Sequence, residues 1–367
     1  MKILRTRIAA GLLLATTISV CVLYVSGLFL PSAVWAQDPQ QNVNVNGIER
    51  TFVVHLPTGY DSKNKYPLVI LLHSTGQNAQ DMTRLSRFDV MADRYGIIAV
   101  YPNSYGVRWD VGVAVAQPNR PIGRRGGFGG RGGIGFPIPF PRTGPGGGGG
   151  HDGGEQGRGS QNRSQANDLA FFDQMLDKLA AAYSVDANRI FATGYSDGGL
   201  MDFRLGCSMG RRIGAIAPVA AAMPKEMSTW CGLSRAVPLL MLNGTSDPVV
   251  HYGGGSVKGV AFTTLSVQKT AETWAKLDRC APKPTHTTLP PHDKNGMKTR
   301  VDTYDDCRDG AEVALYAIEG GGNTWPGGDE FMPEKEVGKT STDLDADEVI
   351  WKFFSVHPMP SSSSAGN

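Results

Sequence analysis

The sequence predicts an α/β fold, in which helices cover both faces of a doubly wound, mostly parallel sheet. Short and continuous apolar runs, typical of strands buried on both faces, alternate along the chain with longer segments of helical periodicity. Apolar residues make up 41% of the 367 residues, which is enough to build a sizeable core. We therefore expect one large domain of this class.

The first elements of the predicted sheet lie between residues 50 and 101. Residues 50–56 alternate like a strand, and residues 67–72 form a continuous apolar run. A helical pattern then covers residues 78–95, and a second apolar run covers residues 97–101. Strand, helix and strand in this order begin a parallel sheet.

Regular patterning resumes at Asn167 and continues almost to the end of the chain. The predicted helices cover 168–183, 200–207, 264–277 and 346–354, and the predicted strands cover 189–193, 213–219, 237–242, 298–304 and 313–318. These elements complete the sheet begun before residue 101, so both parts are expected to form a single domain.

A segment without periodicity, residues 112–164, interrupts this domain. It contains an arginine-glycine box at 124–133 and an almost pure glycine run at 144–150. Such boxes bind RNA in some proteins, but a disordered surface insertion is the interpretation we favour for an exported chain. The net charge of +2 also gives no reason to expect a nucleic-acid partner. The predicted organisation is therefore one domain formed by 37–111 and 165–358, the insertion 112–164, and a flexible tail at 359–367.

The first 36 residues have the pattern of an export signal. A basic start with Lys2, Arg5 and Arg7 precedes an uncharged apolar run over residues 8–30. A cleavage site after Ala36 follows, so we expect a secreted or periplasmic protein without stable membrane insertion. An uncleaved anchor is the alternative, because the run is long enough to span a bilayer.

Four cysteines remain after the signal: Cys207, Cys231, Cys280 and Cys307. An even number in an exported chain favours two disulfides. A metal site is the alternative, but no pair has the two-residue spacing of a zinc knuckle and no histidine lies at ligand spacing. We favour sequential pairing, Cys207 with Cys231 and Cys280 with Cys307, and expect no metal and no cofactor.

Residues 194–199, which read Gly-Tyr-Ser-Asp-Gly-Gly, match the nucleophile-elbow pattern. In an elbow, a sharp turn between strand and helix exposes a serine hydroxyl, and glycines two residues before and after it prevent collisions. The pattern lies between a predicted strand and a predicted helix, as an elbow requires. A helix that begins at a serine cap is the alternative. We predict Ser196 as a nucleophile.

A serine nucleophile needs a base and an acid, and in this order of elements the acid follows the serine in the chain. Asp247 lies just after the apolar strand that ends near Leu242. It therefore lies at the carboxyl end of a core strand, where a catalytic acid is expected. A simple turn residue is the alternative interpretation of Asp247.

The oxyanion hole is expected to combine an early loop with the start of the elbow helix. The loop after the strand 67–72 would supply the backbone N–H of Thr75, or that of Ser74, and the helix would supply the N–H of Asp197. His73 begins the same loop. We expect it to brace the loop rather than to take part in catalysis.

Five segments together resemble one branch of the α/β-hydrolases, the polyhydroxybutyrate depolymerase and feruloyl esterase-like proteins. They are residues 72–76, 101–103, 194–201, 243–248 and 320–327. The resemblance covers about 47–357 apart from the insertion. It implies the α/β-hydrolase fold, export, and serine-dependent hydrolysis of esters of polymers or aromatic acids. It also implies cysteines at the four positions where this chain has them.

Two positions depart from the pattern of these proteins. Ser74 stands where the oxyanion loop usually has glycine, and Asn323 stands where the general-base histidine is expected. An amide neither accepts a proton near neutral pH nor forms the cation that Asp247 would stabilise. His251, four residues after Asp247, is a candidate substitute base, and an exposed loop histidine is the alternative. His151 lies in the insertion, and nothing supports a role for it.

Two functions remain open from the sequence. The first is a serine esterase whose base is missing or relocated, with a polymeric or aromatic ester as substrate. The second is a protein without catalytic activity that binds an ester or polymer in the same pocket. Trp325, two residues after Asn323, is either an apolar wall for the acyl group or a loop-packing residue.

Overall fold

A computed structural model describes residues 38–113, 167–257, 260–291, 296–330 and 332–360. The predicted signal at 1–36 lies outside these ranges, as do nearly all of the predicted insertion and the end of the predicted tail. None of the helices found in these ranges has both the length and the apolar character needed to cross a membrane.

In these ranges the chain forms one ten-stranded sheet and a short antiparallel pair, with helices between the strands. The strands are β1 (Gln40–Val45), β2 (Ile48–His55), β3 (Tyr66–Leu72), β4 (Ile98–Pro102), β5 (Val185–Tyr195), β6 (Ile216–Val219), β7 (Leu239–Gly244), β8 (Gly255–Ser256), β9 (Thr263–Thr264), β10 (Thr285–Leu289), β11 (Thr299–Tyr304) and β12 (Val313–Ile318). The helices are α1 (Ala79–Ser86), α2 (Phe88–Tyr95), α3 (Asp168–Ala182), α4 (Asp197–Met209), α5 (Met227–Trp230), α6 (Val267–Leu277), α7 (Glu334–Val337) and α8 (Ala346–Ser355).

The strand order in the large sheet is β1-β2-β4-β3-β5-β6-β7-β12-β11-β10. The six central strands, from β4 to β12, are parallel, and the two strands at each edge are antiparallel to their neighbours. The chain enters at the edge strands β1 and β2; the parallel part then begins with β3, from which the chain adds β4 on one side and β5, β6, β7 and β12 on the other. The predicted doubly wound, mostly parallel sheet is therefore confirmed, and the carboxyl ends of its central strands lie along one edge.

Each face of the sheet carries its own apolar core. On one face Leu68 and Ile70 of β3 pack with residues of α3, α4 and α6, such as Phe172 and Trp274. On the other face Val69 and Leu71 of the same strand pack with residues of α1, α2 and α8. A central strand therefore has no polar face, which is why its sequence reads as a continuous apolar run.

Three details of the sequence prediction are wrong. The single helix predicted over 78–95 is two helices, because Arg87 takes a left-handed conformation between them with φ 54°. The edge strands β1 and β10 were not predicted, because they are largely polar and lack a second buried face. The domain also continues past residue 111, since Val113 is buried in the core.

The segment before residue 114 and the segment after residue 166 meet at a buried ion pair. Asp168, the first residue of α3, accepts a hydrogen bond from Arg50 at 2.6 Å and another from the backbone N–H of Asp110 at 2.7 Å. The Arg50 guanidinium also lies 4.1 Å from the centre of the Phe171 ring. Because these contacts join the two ends, the sheet and helices on either side of the gap form one continuous domain.

The four cysteines form the two predicted disulfides. Cys207 of α4 pairs with Cys231 just after α5, and Cys280 pairs with Cys307. The sequential pairing is thus confirmed. Each disulfide closes a loop of similar length, with separations of 24 and 27 residues, so each is expected to stabilise the fold by about 3 kcal/mol.

The start of the described chain is held by a histidine among carboxylates. The Nδ1 atom of His55 lies 3.1 Å from Asp38 and 3.9 Å from Asp89, and its Nε2 atom lies 3.2 Å from Asp93. Burial lowers the pKa of His55, but the three carboxylates outweigh it, so its pKa is raised above the ordinary 6.5. The cluster connects β2 to the segment before β1 and to α2.

We predict that His55→Gln costs stability in a pH-dependent way. A raised folded-state pKa means that the stabilisation by His55 is complete below pH 6.5 and disappears as the pH rises through that raised value. Urea unfolding at about pH 5.5 should show a loss of up to about 1 kcal/mol for the variant, and at about pH 9 a clearly smaller loss. An equal loss at both pH values would contradict the ionic role of His55.

Candidate active site

Ser196 occupies a strained turn between β5 and α4. Its backbone has φ 55° and ψ −108°, an arrangement that non-glycine residues adopt only when the surrounding structure enforces it. Its N–H donates to the carbonyl of Val219 at 2.9 Å, which fixes the turn to the end of β6. The side chain is 8% exposed, and its hydroxyl has no hydrogen-bond partner within the described ranges. This is the geometry of a nucleophile elbow.

Two glycines make this turn possible. A Cβ atom on Gly194 would lie 2.4 Å from the carbonyl carbon of Gly198, and a Cβ atom on Gly198 would lie 2.1 Å from the carbonyl oxygen of Leu72. Real Cβ atoms do not approach backbone atoms this closely. The glycines therefore allow the first turn of α4 to pack directly against the end of β3.

Asp247 follows β7, and hydrogen bonds hold both of its carboxylate oxygens. Its Oδ1 accepts from the N–H groups of Val249 at 2.7 Å and Val250 at 2.8 Å. Its Oδ2 accepts from Nδ2 of Asn323 at 2.7 Å. Burial raises the pKa of Asp247 to about 6, although these three hydrogen bonds act in the opposite direction. Within the part of the chain that the structure describes, this carboxylate forms no ion pair, and it is only 4% exposed.

Asn323 is fixed by its backbone as well as by its side chain. Its carbonyl accepts from the Tyr195 hydroxyl at 2.6 Å, and its N–H donates to Val337. Its Nδ2 donates to Asp247 and, at 3.2 Å, to the carbonyl of Ala220. Tyr195 precedes Ser196 in the chain, so its hydrogen bond to Asn323 joins the elbow to the loop after β12. Asn323 thus bonds the predicted acid through its side chain and the residue before Ser196 through its backbone carbonyl.

The loop after β3 supplies one expected oxyanion donor. The N–H of Ser74 donates to the side chain of Gln77 at 3.0 Å, so it is not available to a substrate. The N–H of Thr75 has no partner within the described ranges, which favours Thr75 over Ser74. The other expected donor, Asp197, is the first residue of α4. The two donors belong to the loop after β3 and to the first turn of α4, and these segments pack against each other at Gly198.

His73 lies in this loop in a bracing position. Its Nδ1 donates to the carbonyl of Ser74 at 2.7 Å, and its Nε2 accepts from the N–H of Ser104 at 3.1 Å. Burial lowers the pKa of His73, which favours the neutral ring that these two bonds require. Both ring nitrogens are occupied, in agreement with the structural role expected for this residue.

The described histidines do not replace the base. His251 is exposed, four residues after Asp247. His55, His286 and His357 are bonded to Asp38, Asp302 and Phe353 respectively, away from the elbow. His151 and His292 lie outside the described ranges. Among the residues that the structure describes, none of the histidines hydrogen-bonds to Ser196 or Asp247.

Trp325 is a core residue in the structure. It is 1% exposed, packs in the apolar core beside α1 and α8, and donates from Nε1 to Asp347 at 3.0 Å. A ring in this position has no face available to an acyl group. The loop-packing interpretation of Trp325 therefore agrees with the structure, and the substrate-wall interpretation does not.

The sequence prediction missed the loop between β4 and residue 113. Arg108 donates to Asp197 at 3.1 Å, and the N–H of Trp109 donates to the same carboxylate at 3.0 Å. The loop has no periodicity and no motif of its own. Its only sequence signal is an arginine beside a tryptophan shortly before the glycine-rich segment.

Comparison with known proteins relates the chain to esterases. A family model described as "Esterase PHB depolymerase" matches residues 50–108. Feruloyl esterase B of Piromyces equi is 32% identical over 165 residues, which cover 44% of this chain but only 29% of that protein. Feruloyl esterase D of Neurospora crassa is 25% identical over 312 residues, which cover 85% of this chain and 83% of that one.

A solved structure extends the relationship to the fold. The acetyl xylan esterase from Aspergillus awamori aligns with a TM-score of 0.50 and 14% identity, over 86% of this chain and 99% of that one. The comparisons confirm both the α/β-hydrolase fold and the resemblance to the depolymerase and feruloyl esterase-like proteins.

We predict that Gly198→Ala destabilises the protein by about 2 kcal/mol or more, because the new methyl group would collide with the carbonyl of Leu72. Gly232→Ala is the matched control, since a Cβ atom at Gly232 meets nothing within 4 Å. Urea unfolding of both variants measures the difference. Equal free energies of unfolding for the two variants would show that the elbow accommodates the new methyl group without cost, which would contradict the close contact at Gly198.

Proposed function

We propose that this relative of the feruloyl esterases is a secreted carboxylic ester hydrolase with low native turnover, acting on esters of polymers or of aromatic acids. Ser196 is the nucleophile, Asp247 is the acid, and the N–H groups of Thr75 and Asp197 form the oxyanion hole. The named esterases among its relatives support the ester bond as the target. The two disulfides are consistent with an extracellular protein.

The chemistry of the first step explains the low turnover. The Ser196 oxygen attacks the ester carbonyl carbon while its proton leaves, and the carbonyl oxygen becomes the negative oxygen of a tetrahedral intermediate. The oxyanion hole stabilises that charge. Asn323 does not take up the proton, and none of the described histidines bonds to Ser196, so in this proposal the proton passes to solvent or to the substrate.

The hydrogen bond from Asn323 to Asp247 is the observation that carries this proposal. It gives the buried acid a neutral hydrogen-bond donor, so Asp247 stays bonded to the loop after β12 without an imidazole. The positive φ of Ser196, the burial of Asp247 and the N–H of Thr75, which has no partner among the described residues, support the roles proposed for these groups. An esterase architecture that lacks only its base explains this combination best.

Binding without turnover is the second candidate function, and the same residue favours it. With Asn323 in place, an ester could occupy the pocket and leave unchanged. Relocation of the base to His251 has less support, because His251 is exposed and makes no hydrogen bond to the carboxylate of Asp247 in the structure. The rate of ester turnover separates these possibilities.

We predict that Asn323→His raises the turnover of activated short-chain esters by at least about 10²-fold. The new imidazole would receive a hydrogen bond from the serine and donate one to Asp247, which completes the triad. Loss of one triad member costs on the order of 10⁴ to 10⁶ in turnover, while the oxyanion hole and substrate binding together leave a rate about 10³ over that in water. Release of 4-nitrophenol from its acetate or butyrate ester measures the change.

The double variant Asn323→His with Ser196→Ala is the control, and the gain should disappear in it. Two results would contradict the proposal. Ordinary esterase rates in the native chain, abolished by His251→Ala, would mean that the base has moved. A folded Asn323→His variant without any gain would favour the binding function.

A further inference from the structure

The loop after β4 contacts both halves of the expected oxyanion hole, and we call residues 103–110 the bracing loop. Toward the loop that carries Thr75 it makes three hydrogen bonds. The N–H of Ser104 donates to the His73 ring, the Trp109 indole donates to the His73 carbonyl at 2.9 Å, and the Val107 carbonyl accepts from Gly76 at 2.7 Å. The position of one oxyanion donor therefore depends on the bracing loop.

Two further contacts of the bracing loop end on Asp197, the residue after the proposed nucleophile. Asp197 is 4% exposed and receives Arg108 on Oδ1 and the Trp109 N–H on Oδ2. Arg108 is itself only 14% exposed, so the pair is shielded from solvent. Such an ion pair is screened less by salt than a surface pair.

The placement of Asp197 creates an electrostatic problem for ester hydrolysis. A negative side chain lies on the residue whose backbone N–H is expected to stabilise a developing negative oxygen. An uncompensated carboxylate there would raise the energy of the tetrahedral intermediate more than that of the neutral ester. The positive charge of Arg108 on the same carboxylate removes most of this repulsion.

We propose that Arg108 is a positioning residue that neutralises Asp197, so that the start of α4 can accept negative charge beside Ser196. This inference rests on the proposed ester hydrolysis and adds a residue that the sequence motifs do not include. Arg108 acts through Asp197 and does not touch the substrate. Its effect is therefore expected on the charged intermediate and not on the binding of a neutral ester.

The experiment removes the two charges one after the other in the Asn323→His background. Arg108→Gln should lower kcat for 4-nitrophenyl acetate by about tenfold and leave KM nearly unchanged. Adding Asp197→Asn should bring kcat back to within about threefold of the value for the Asn323→His protein, because asparagine has no charge and can still accept a hydrogen bond from the Trp109 N–H. Asp197→Asn would also relieve a fold weakened by an unpaired buried carboxylate, so urea unfolding of each variant is measured beside its kinetics. A tenfold loss of kcat with unchanged KM in an Arg108→Gln protein that is fully folded under the assay conditions supports the electrostatic role, and a loss that follows the unfolded fraction would overturn it.

Arg212→Gln is the matched control for the loss of an arginine. Arg212 pairs with Asp173 and Asp177 at the surface, away from the elbow. This variant should keep the kcat and the KM of the Asn323→His protein. A tenfold loss here as well would mean that any broken arginine pair impairs the enzyme, which would overturn a specific role for Arg108.

A second measurement on the native chain does not depend on turnover. Phenylboronic acid forms a bond from boron to the Ser196 oxygen, the serine proton passes to solvent, and the boron becomes tetrahedral and negative. Calorimetry should show about tenfold weaker binding for Arg108→Gln and recovery in Arg108→Gln with Asp197→Asn.

The outcomes separate the two proposals. If Asn323→His gains no activity, the proposed hydrolysis fails, and the boronate affinities alone decide the role of Arg108. The proposed role of Arg108 would be overturned if Arg108→Gln left the boronate affinity unchanged, or if Asp197→Asn did not restore a lost affinity. It would also be overturned if the native chain did not bind the boronate, because the site would then not accept negative charge.

Discussion

The close packing of the elbow helix on the end of β3 is the constraint on which the site depends. Gly198 lies so near the carbonyl of Leu72 that the first turn of α4 has only one position against the sheet. In that position Ser196 has a positive φ of 55°, and Asp197 begins the helix beside the end of β3. The nucleophile and the expected oxyanion donors therefore follow from one backbone contact, and the two apolar cores on either side of the sheet hold that contact in place.

The base position shows that fold and catalysis have separate requirements. A buried carboxylate needs hydrogen bonds, and the amide of Asn323 supplies one to Asp247 as an imidazole N–H would. The loop after β12 is held independently, by Tyr195 and Val337 on the Asn323 backbone. Asparagine at 323 thus keeps the acid and the loop in place, while in the proposed mechanism its amide does not take the serine proton.

Most of the fold could be predicted from the sequence, because central strands buried on both faces leave long apolar runs, and β12 was predicted with its observed bounds, Val313–Ile318. Edge strands such as β1 lack that signal. Ser196 and Asp247 could be found from the motif and from the strand that precedes the acid. The pairing of Arg108 with Asp197 could not, since a contact across 89 positions leaves no local pattern.

The central claim is that the site is complete except for its base, and covalent labelling of Ser196 tests it most directly. A fluorophosphonate reacts with a serine oxygen and releases fluoride, at a rate that depends on the general base. Mass spectrometry of native and Asn323→His protein should find the label on Ser196 in both, and the variant should react at least about 10²-fold faster. Equal rates in the two proteins, or a label on another residue, would contradict the account.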